Sequence, residues 1–250
     1  MDATYIPADD PVAVEVTRLV QAGDVAALER LLAEWPELVT ARLGDRGCSR
    51  TLLHVAADWP GHFPHGPDVV ALLVRSGAEV DARFDGGEGS HTETPLHWAA
   101  SSDDVAVLDA LLDADADVEA DGAVLGGGSP LADAVGFGNW AAARRLVERG
   151  ARTRLKDAAA LGLMDRVEAA FADESGADGR PPDGDTVTQA LWSACHGGQH
   201  AAAEYLVARG ADIGWVGWDD LTPLDVAVRS GATDLVRWLR SRGAGSGAAC

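Results

Sequence analysis

A short motif recurs along the chain and limits what it can fold into more than any other feature. TLLHVAA occupies residues 51–57, TPLHWAA residues 94–100 and TPLDVAV residues 222–228. Each copy precedes an apolar segment with helical periodicity and then a turn rich in Gly, Ala and Asp. The repetition predicts an array of helix pairs in which each pair buries its apolar face by stacking on its neighbours.

The residue types of the motif suit the start of a closely packed helix. Threonine at the first position caps free N–H groups, and proline in the first turn already has a helical φ. The two small alanines allow neighbouring helices to approach. Glycines stand where the second helices end and a left-handed residue is needed, at Gly77, Gly150, Gly210 and Gly243.

Weaker copies of the motif fill the intervals and predict seven helix pairs in one array over residues 1–250. The pairs are a degenerate first one at 12–39 and others near 51–82, 94–120, 129–152, 153–173, 188–213 and 222–244. Residues 174–185, ESGADGRPPDGD, are rich in Gly, Pro and Asp and lack apolar periodicity. They predict a mobile loop.

The TPLHWAA motif and its downstream tails, such as GAEVDA, resemble the ankyrin repeat over nearly the whole chain. The resemblance implies an all-α solenoid of antiparallel helix pairs, with β-hairpin or loop fingers projecting from one end. It also implies a concave groove that binds other proteins and usually carries no chemistry.

The motif places one side chain per repeat on the groove, at the position that Trp98 occupies in TPLHWAA. Neighbours three and four residues further on share that face of the helix. The groove residues predicted in this way are Trp98, Ser101, Ser102, Asp133, Phe137, Asp157, Trp192 and His196. Two carboxylates between aromatic side chains suit a cation, or a polar ligand with a flat apolar face.

Two functions are consistent with such a groove. A scaffold would hold a protein or peptide partner there. An enzyme would use Asp133 or Asp157 as acid or base, Trp98 and Trp192 as a clamp, and His196 as a proton relay. The sequence identifies no reaction class, and a groove with no specific ligand also remains open.

The formal charge of −20, from 40 acidic and 20 basic side chains, excludes nucleic acid as a partner because phosphates would be repelled. The charge favours solubility, a basic partner or a small polar or cationic ligand. No apolar run approaches the ~18 residues of a membrane span. The acidic N-terminus and three widely separated cysteines predict a cytoplasmic protein. We expect neither a metal nor a cofactor.

Three segments depart from the regular repeat. DWPGHFPHGPD (58–68) is inserted between two helices, and RFDGGEGSHTE (83–93) lengthens a finger. GWVGWDD (214–220) either exposes Trp215 and Trp218 as contact anchors or packs one finger on the next. Such irregularity suggests a shape adapted to one ligand.

Overall fold

The computed structural model describes residues 4–87, 92–124, 127–172 and 181–247. Backbone packing divides the chain into two compact units, Met1–Ala151 and Arg152–Cys250, which we call unit 1 and unit 2. Each unit has its own helix pairs and its own buried core. The single array over residues 1–250 stays a prediction.

In its described part, unit 1 consists of four helix pairs and a small sheet. The helices are α1 (Pro11–Ala22), α2 (Val25–Glu34), α3 (Leu52–Ala57), α4 (Gly66–Arg75), α5 (Pro95–Ser101), α6 (Val105–Asp113), α7 (Pro130–Phe137) and α8 (Trp140–Glu148), with a 3-10 turn at Pro36–Val39. The strands are β1 (Tyr5–Ile6), β2 (Arg42–Asp45) and β3 (Cys48–Arg50). β2 and β3 form an antiparallel hairpin in which Leu43 lies opposite Arg50, and β1 pairs with β2 in parallel. This hairpin is a finger of the predicted kind.

In its described part, unit 2 consists of three helix pairs. The helices are α9 (Leu155–Leu161), α10 (Met164–Ala169), α11 (Gly184–His196), α12 (His200–Ala208), α13 (Pro223–Arg229) and α14 (Thr233–Ser241), with a 3-10 turn at Trp218–Asp220. Most of the predicted mobile loop, residues 174–180, lies outside the described residues. Gly184 and Asp185 form the first turn of α11, because Asp183 caps that helix by accepting from the N–H of Thr186 at 2.8 Å.

Within each unit, the helices form two layers. In unit 1 the first helices of successive pairs, α1, α3, α5 and α7, contact one another in order, and α2, α4, α6 and α8 do the same. In unit 2, α9, α11 and α13 are neighbours in the first layer, and α10 contacts α12 in the second. The paired alanines permit this spacing, since Ala99 and Ala100 have no exposed surface.

Leucines on both helices of the repeated pairs form part of the buried core of unit 1. Leu53, Leu73, Leu96 and Leu108 have no exposed surface. Each such side chain stabilises the fold by about 1.5–3 kcal/mol relative to an exposed one. The all-α class predicted from the sequence is confirmed.

Candidate functional site

Unit 1 contains a surface cleft on the first-helix layer, with a volume of about 500 Å³. We call it the aromatic cleft. Its lining residues are Asp58, Trp59, Glu93, Trp98, Ser101, Ser102, Val124, Phe137 and Asn139. Four of the residues predicted for the groove are among them: Trp98, Ser101, Ser102 and Phe137.

Trp98, on α5, is half-buried and forms the floor of the aromatic cleft. Its indole meets the His54 ring edge to face, with centroids 5.0 Å apart. The Phe84 ring lies 5.5 Å from the same indole in a tilted contact. Aromatic pairs at these distances are favourable, so two rings beneath Trp98 fix its orientation.

His54 is itself fixed by the capping of α3. The backbone N–H of Thr51 donates to Nδ1 of His54 at 3.3 Å, and Nε2 lies 3.1 Å from the carbonyl oxygen of Glu93. These partners require a proton on Nε2 and none on Nδ1. Burial lowers the pKa of His54 to about 3, because the charged ring would lose its hydration. The ring is therefore neutral at physiological pH.

His97 repeats this arrangement one helix pair later. The backbone N–H of Thr94 donates to its Nδ1 at 3.1 Å, and its Nε2 lies 3.2 Å from the carbonyl oxygen of Gly128. Burial lowers the pKa of His97 to about 4. Each histidine thus joins the start of its own helix to the finger that follows, and adds no positive charge beside the cleft.

Trp59 lies on the inserted segment 58–68 and is 79% exposed. Two hydrogen bonds help to hold this segment against the rest of unit 1. Arg50 donates to the carboxylate of Asp58 at 2.5 Å, and the backbone N–H of His62 donates to Oδ2 of Asp104 at 2.6 Å. Trp59 makes no ring–ring contact with any described residue, and most of its indole surface is accessible.

Asp104 has a second role, because its Oδ1 accepts from the N–H of Val107 at 3.1 Å and caps α6. The insertion approaches this cap closely at Gly61. A Cβ on Gly61 would come within 2.8 Å of the Cβ of Ser102, and its φ of +72° favours glycine. The turn between α5 and α6 is therefore one support for the insertion.

The remaining lining residues present mixed chemistry. Phe137, at the end of α7, is 50% exposed. Ser102 donates its hydroxyl to the carbonyl oxygen of Ala57 at 3.2 Å. The side-chain Nδ2 of Asn139 donates to the carbonyl oxygen of Ala100 at 2.9 Å, which leaves Oδ1 as the acceptor that Asn139 offers. Ser101 lines the cleft, although its hydroxyl oxygen is closed off from solvent.

Asp133 does not line the aromatic cleft. It lies on α7 at the position equivalent to Trp98, but its side chain has no exposed surface. The expectation of an exposed groove carboxylate at this position is wrong. At this position of the repeat, the indole of Trp98 is long enough to reach the surface of α5. The shorter side chain of Asp133 stays enclosed on α7.

In unit 2, Asp157 is also buried, at 3% exposure. α9 begins one residue later than the motif predicts, with Arg154 as its N-cap. The carboxylate of Asp157 turns back and accepts from the backbone N–H of Arg154 at 2.9 Å. Helix capping therefore occupies this carboxylate.

Trp192 is 7% exposed and takes the place that histidine has in TPLH. It stands six residues before the left-handed Gly198, as His97 stands six before the left-handed Asp103. Its indole N–H donates to the carbonyl oxygen of Leu221 at 2.9 Å, which joins α11 to the next finger. The prediction that Trp192 lines the groove is wrong because the frame of this weak repeat is shifted by one residue.

The tryptophans of the GWVGWDD segment pack on Trp192. The Trp218 ring meets Trp192 edge to face at 4.8 Å and Trp215 at 5.5 Å. Lys156 lies 5.7 Å above the Trp218 ring. Trp218 thus packs on α11 and on its own finger, and it remains 44% exposed. Both alternatives for this finger, contact anchors and packing of one finger on the next, stay predictions. His196 is half-buried and lies 5.4 Å from the Trp192 ring.

Residues 65–157 and 155–248 match the family model described as ankyrin repeats, three copies. The chain belongs to the ankyrin-repeat family. Ankyrin repeats serve in general as scaffolds for contacts between proteins. Among solved structures, the chain is similar to the human ASB11 ankyrin repeat domain, at 20% sequence identity and a TM-score of 0.48, over 92% of this chain and 84% of that one. No curated protein matches the chain.

The ankyrin units differ strongly in charge. The sequence of unit 1 carries 26 acidic and 10 basic side chains, so it holds −16 of the total of −20. Residues 79–121 alone contain thirteen acids and one base, Arg83. A surplus of this size attracts cationic groups over several ångströms and raises their local concentration.

Among the described residues, no group of three or more His, Cys, Asp or Glu side chains is arranged to hold a metal ion. None of the described helices combines the length and the apolar character that crossing a bilayer requires. Cys48 is exposed and Cys195 is buried, both as free thiols, and burial raises the pKa of Cys195 to about 12. Cys250 lies outside the described residues.

Proposed function

We propose that the protein is a binding scaffold that holds a peptide segment of a basic protein partner in the aromatic cleft of unit 1. The observation that carries this proposal is the exposed Trp59, held beside Trp98 and Phe137 in one cleft. Exposed aromatic side chains grouped in a cleft are typical of binding hot spots rather than of ordinary protein surface.

The support beneath the cleft favours a site that is formed before the partner arrives. Trp98 lies on two rings, and His54 beneath it is fixed at both nitrogens. A rigid floor lowers the entropy lost on binding, because fewer side chains have to be ordered. The insertion that carries Trp59 is held by Asp104 rather than left free.

The charge of unit 1 favours a basic partner over an acidic one. Electrostatic steering by the net charge of −16 on unit 1 would raise the association rate of a cationic segment and lower that of an anionic one. The same field would attract a small cationic ligand, which is the alternative occupant. The volume of about 500 Å³ and the open form of the cleft suit a side chain or two of an extended peptide.

Acid–base catalysis at Asp133 and Asp157 has less support. Asp133 is closed off from the cleft, and Asp157 caps its own helix in unit 2. Catalysis would require a carboxylate within hydrogen-bond reach of a bound substrate. The cytoplasmic location expected from the sequence stays a prediction.

A random peptide library tests the scaffold function without assuming a ligand. Peptides selected on the full-length protein are measured again on Trp59→Ala and on a matched control, Trp35→Ala. Trp35 is 44% exposed at the end of α2 and does not line the cleft. We expect Trp59→Ala to weaken binding about tenfold or more, as loss of an aromatic hot spot does, and Trp35→Ala to leave it unchanged.

Two outcomes would contradict the proposal. One is a library that yields no binder, and the other is a set of binders that lose equal affinity with both substitutions. In either case the exposed aromatic group would have no special role in recognition.

A further inference from the structure

We propose that the aromatic cleft anchors its peptide through one arginine side chain, whose guanidinium group stacks on Trp59 and Trp98. Such an anchor presupposes the peptide-binding function proposed above. It specifies which side chain of the partner the cleft recognises, and by what chemistry.

The two indoles offer faces on which a flat cation can stack. Trp98 contacts the His54 and Phe84 rings, remains partly exposed and lines the cleft. Trp59 is 79% exposed and has no ring partner among the described residues. A guanidinium group over an indole gains from cation–π attraction and from contact between two planar surfaces.

Acceptors surround these rings at the rim of the cleft. Asp58 and Glu93 are acidic lining residues, and Asn139 offers its Oδ1. The chain already binds a guanidinium group here, since Nη1 of Arg50 lies 2.5 Å from the Asp58 carboxylate. A carboxylate has about four lone-pair sites and accepts more than one such donor. Arginine supplies five N–H donors in one plane, which matches acceptors placed around a flat slot.

The buried histidines beneath the cleft do not oppose a bound cation, and the guanidinium group of Arg50 beside the cleft is paired with Asp58. His54 and His97, the titratable side chains at the floor, are kept neutral by burial. Arg83 donates to the carbonyl oxygens of Thr92 and Asp121. The thirteen acids of residues 79–121 outnumber the arginines near the floor, Arg42, Arg50 and Arg83, so the net local charge favours a bound cation.

Lysine fits the same site less well. Its ammonium group is compact and strongly hydrated, and it has no flat face to lay on an indole. Citrulline has the shape of arginine but carries no charge. A set of peptides that differ only in this residue therefore separates shape from charge.

The test uses the full-length protein and the peptides acetyl-Gly-Ser-Xaa-Gly-Ser-amide, with arginine, citrulline or lysine at Xaa. The readout is the set of indole N–H signals of the eight tryptophans in a two-dimensional nitrogen–proton spectrum. Trp59→Phe and Trp98→Phe assign the two signals of interest. We expect the arginine peptide to shift these two signals saturably, with the citrulline peptide about tenfold weaker and the lysine peptide intermediate.

The outcomes separate this inference from the proposed function. Equal binding of arginine and citrulline peptides through Trp59 and Trp98 would overturn the cationic anchor and leave peptide binding intact. Stronger binding of lysine than of arginine would overturn the stacked guanidinium. An arginine peptide that shifts neither signal would also overturn the anchor, while the library selection decides the scaffold function separately.

Discussion

The imidazole of His54 meets the indole of Trp98 edge to face, with ring centroids 5.0 Å apart. The same imidazole joins the start of α3 to the carbonyl oxygen of Glu93 in the following finger. A single buried ring therefore links helix capping, the packing of successive repeats and the floor of the aromatic cleft. The integrity of the cleft should depend on the neutrality of this histidine.

Stability should fall on mild acidification. Burial lowers the pKa of His54 to about 3 and of His97 to about 4, from an ordinary value of 6.5 in the unfolded chain. The stabilisation is complete above pH 6.5 and is lost as the pH falls toward the folded values, because the unfolded chain binds the protons. The free energy of unfolding should fall by about 1.4 kcal/mol per pH unit for each histidine below pH 6.

Urea unfolding followed by circular dichroism between pH 7.5 and pH 4.5 measures this slope. His54→Gln and His97→Gln together should flatten it, whatever their effect at pH 7.5. His65→Gln is the control, since the side chain of His65 is 68% exposed. An unchanged slope in the double variant would contradict a role for buried neutral histidines.

Asp104→Asn should detach the insertion while keeping α6 capped. The amide oxygen still accepts from Val107, but the amide nitrogen faces the N–H of His62, so two donors oppose each other. We expect several-fold weaker peptide binding and a stability loss of about 1–3 kcal/mol. Asp24→Asn is the matched control, because Asp24 caps α2 by accepting from Ala27 at 3.0 Å and does not line the aromatic cleft. Equal effects of both on peptide affinity would show that Asp104 does not position Trp59.

The hydrogen bond of Trp192 predicts that its histidine variant is more stable than its phenylalanine variant, although phenylalanine is the more apolar side chain. Trp192→Phe keeps an aromatic ring but leaves the carbonyl oxygen of Leu221 without its indole donor. Trp192→His is smaller but carries an N–H, as His97 does toward Gly128. A lost buried hydrogen bond costs about 1–3 kcal/mol, so the histidine variant should have the higher melting temperature. A more stable phenylalanine variant would mean that ring size outweighs the bond to the finger.

Gly217→Ala should disturb the tryptophan packing of unit 2. A Cβ at this position would come within 2.3 Å of Trp215 and 2.8 Å of Trp192. Overpacking of this kind typically costs about 1–3 kcal/mol, and we expect a matching loss of stability with an altered tryptophan fluorescence spectrum. Gly214→Ala in the same finger is the control, because its Cβ would meet only Asp212 at 3.5 Å. A Gly217→Ala protein with unchanged stability would contradict the close packing of these rings.

Much of the fold and half of the candidate site follow from the repeated motif. Capping threonines, first-turn prolines and paired alanines predict the helices, and the groove position predicts Trp98 with Ser101, Ser102 and Phe137 on the cleft. In unit 1, where the motif of α5 is complete, these four residues do line one cleft, and their binding of a ligand stays a prediction. Local sequence sets both the helix start and the face that each residue occupies.

The remaining site depends on contacts that the motif does not encode. Trp59 was not predicted, because its place follows from the bond between His62 and Asp104, which are distant in sequence. Trp192 was assigned to the wrong face because α11 lacks the Thr-Pro start. Counting back six residues from the left-handed Gly198 would have placed it at the histidine position. For Asp133, the motif fixes the position on α7 but not how deeply so short a side chain is enclosed.

Photo-crosslinking tests most directly whether the aromatic cleft is the binding site. A library-selected peptide carrying a benzophenone group beside its anchor residue is irradiated with the full-length protein, and the adducts are located by mass spectrometry. The account predicts adducts in the four segments that line the cleft, residues 58–59, 93–102, 124 and 137–139. Excess unlabelled peptide should suppress them. Adducts concentrated on α2 and α4, or within unit 2, would contradict it.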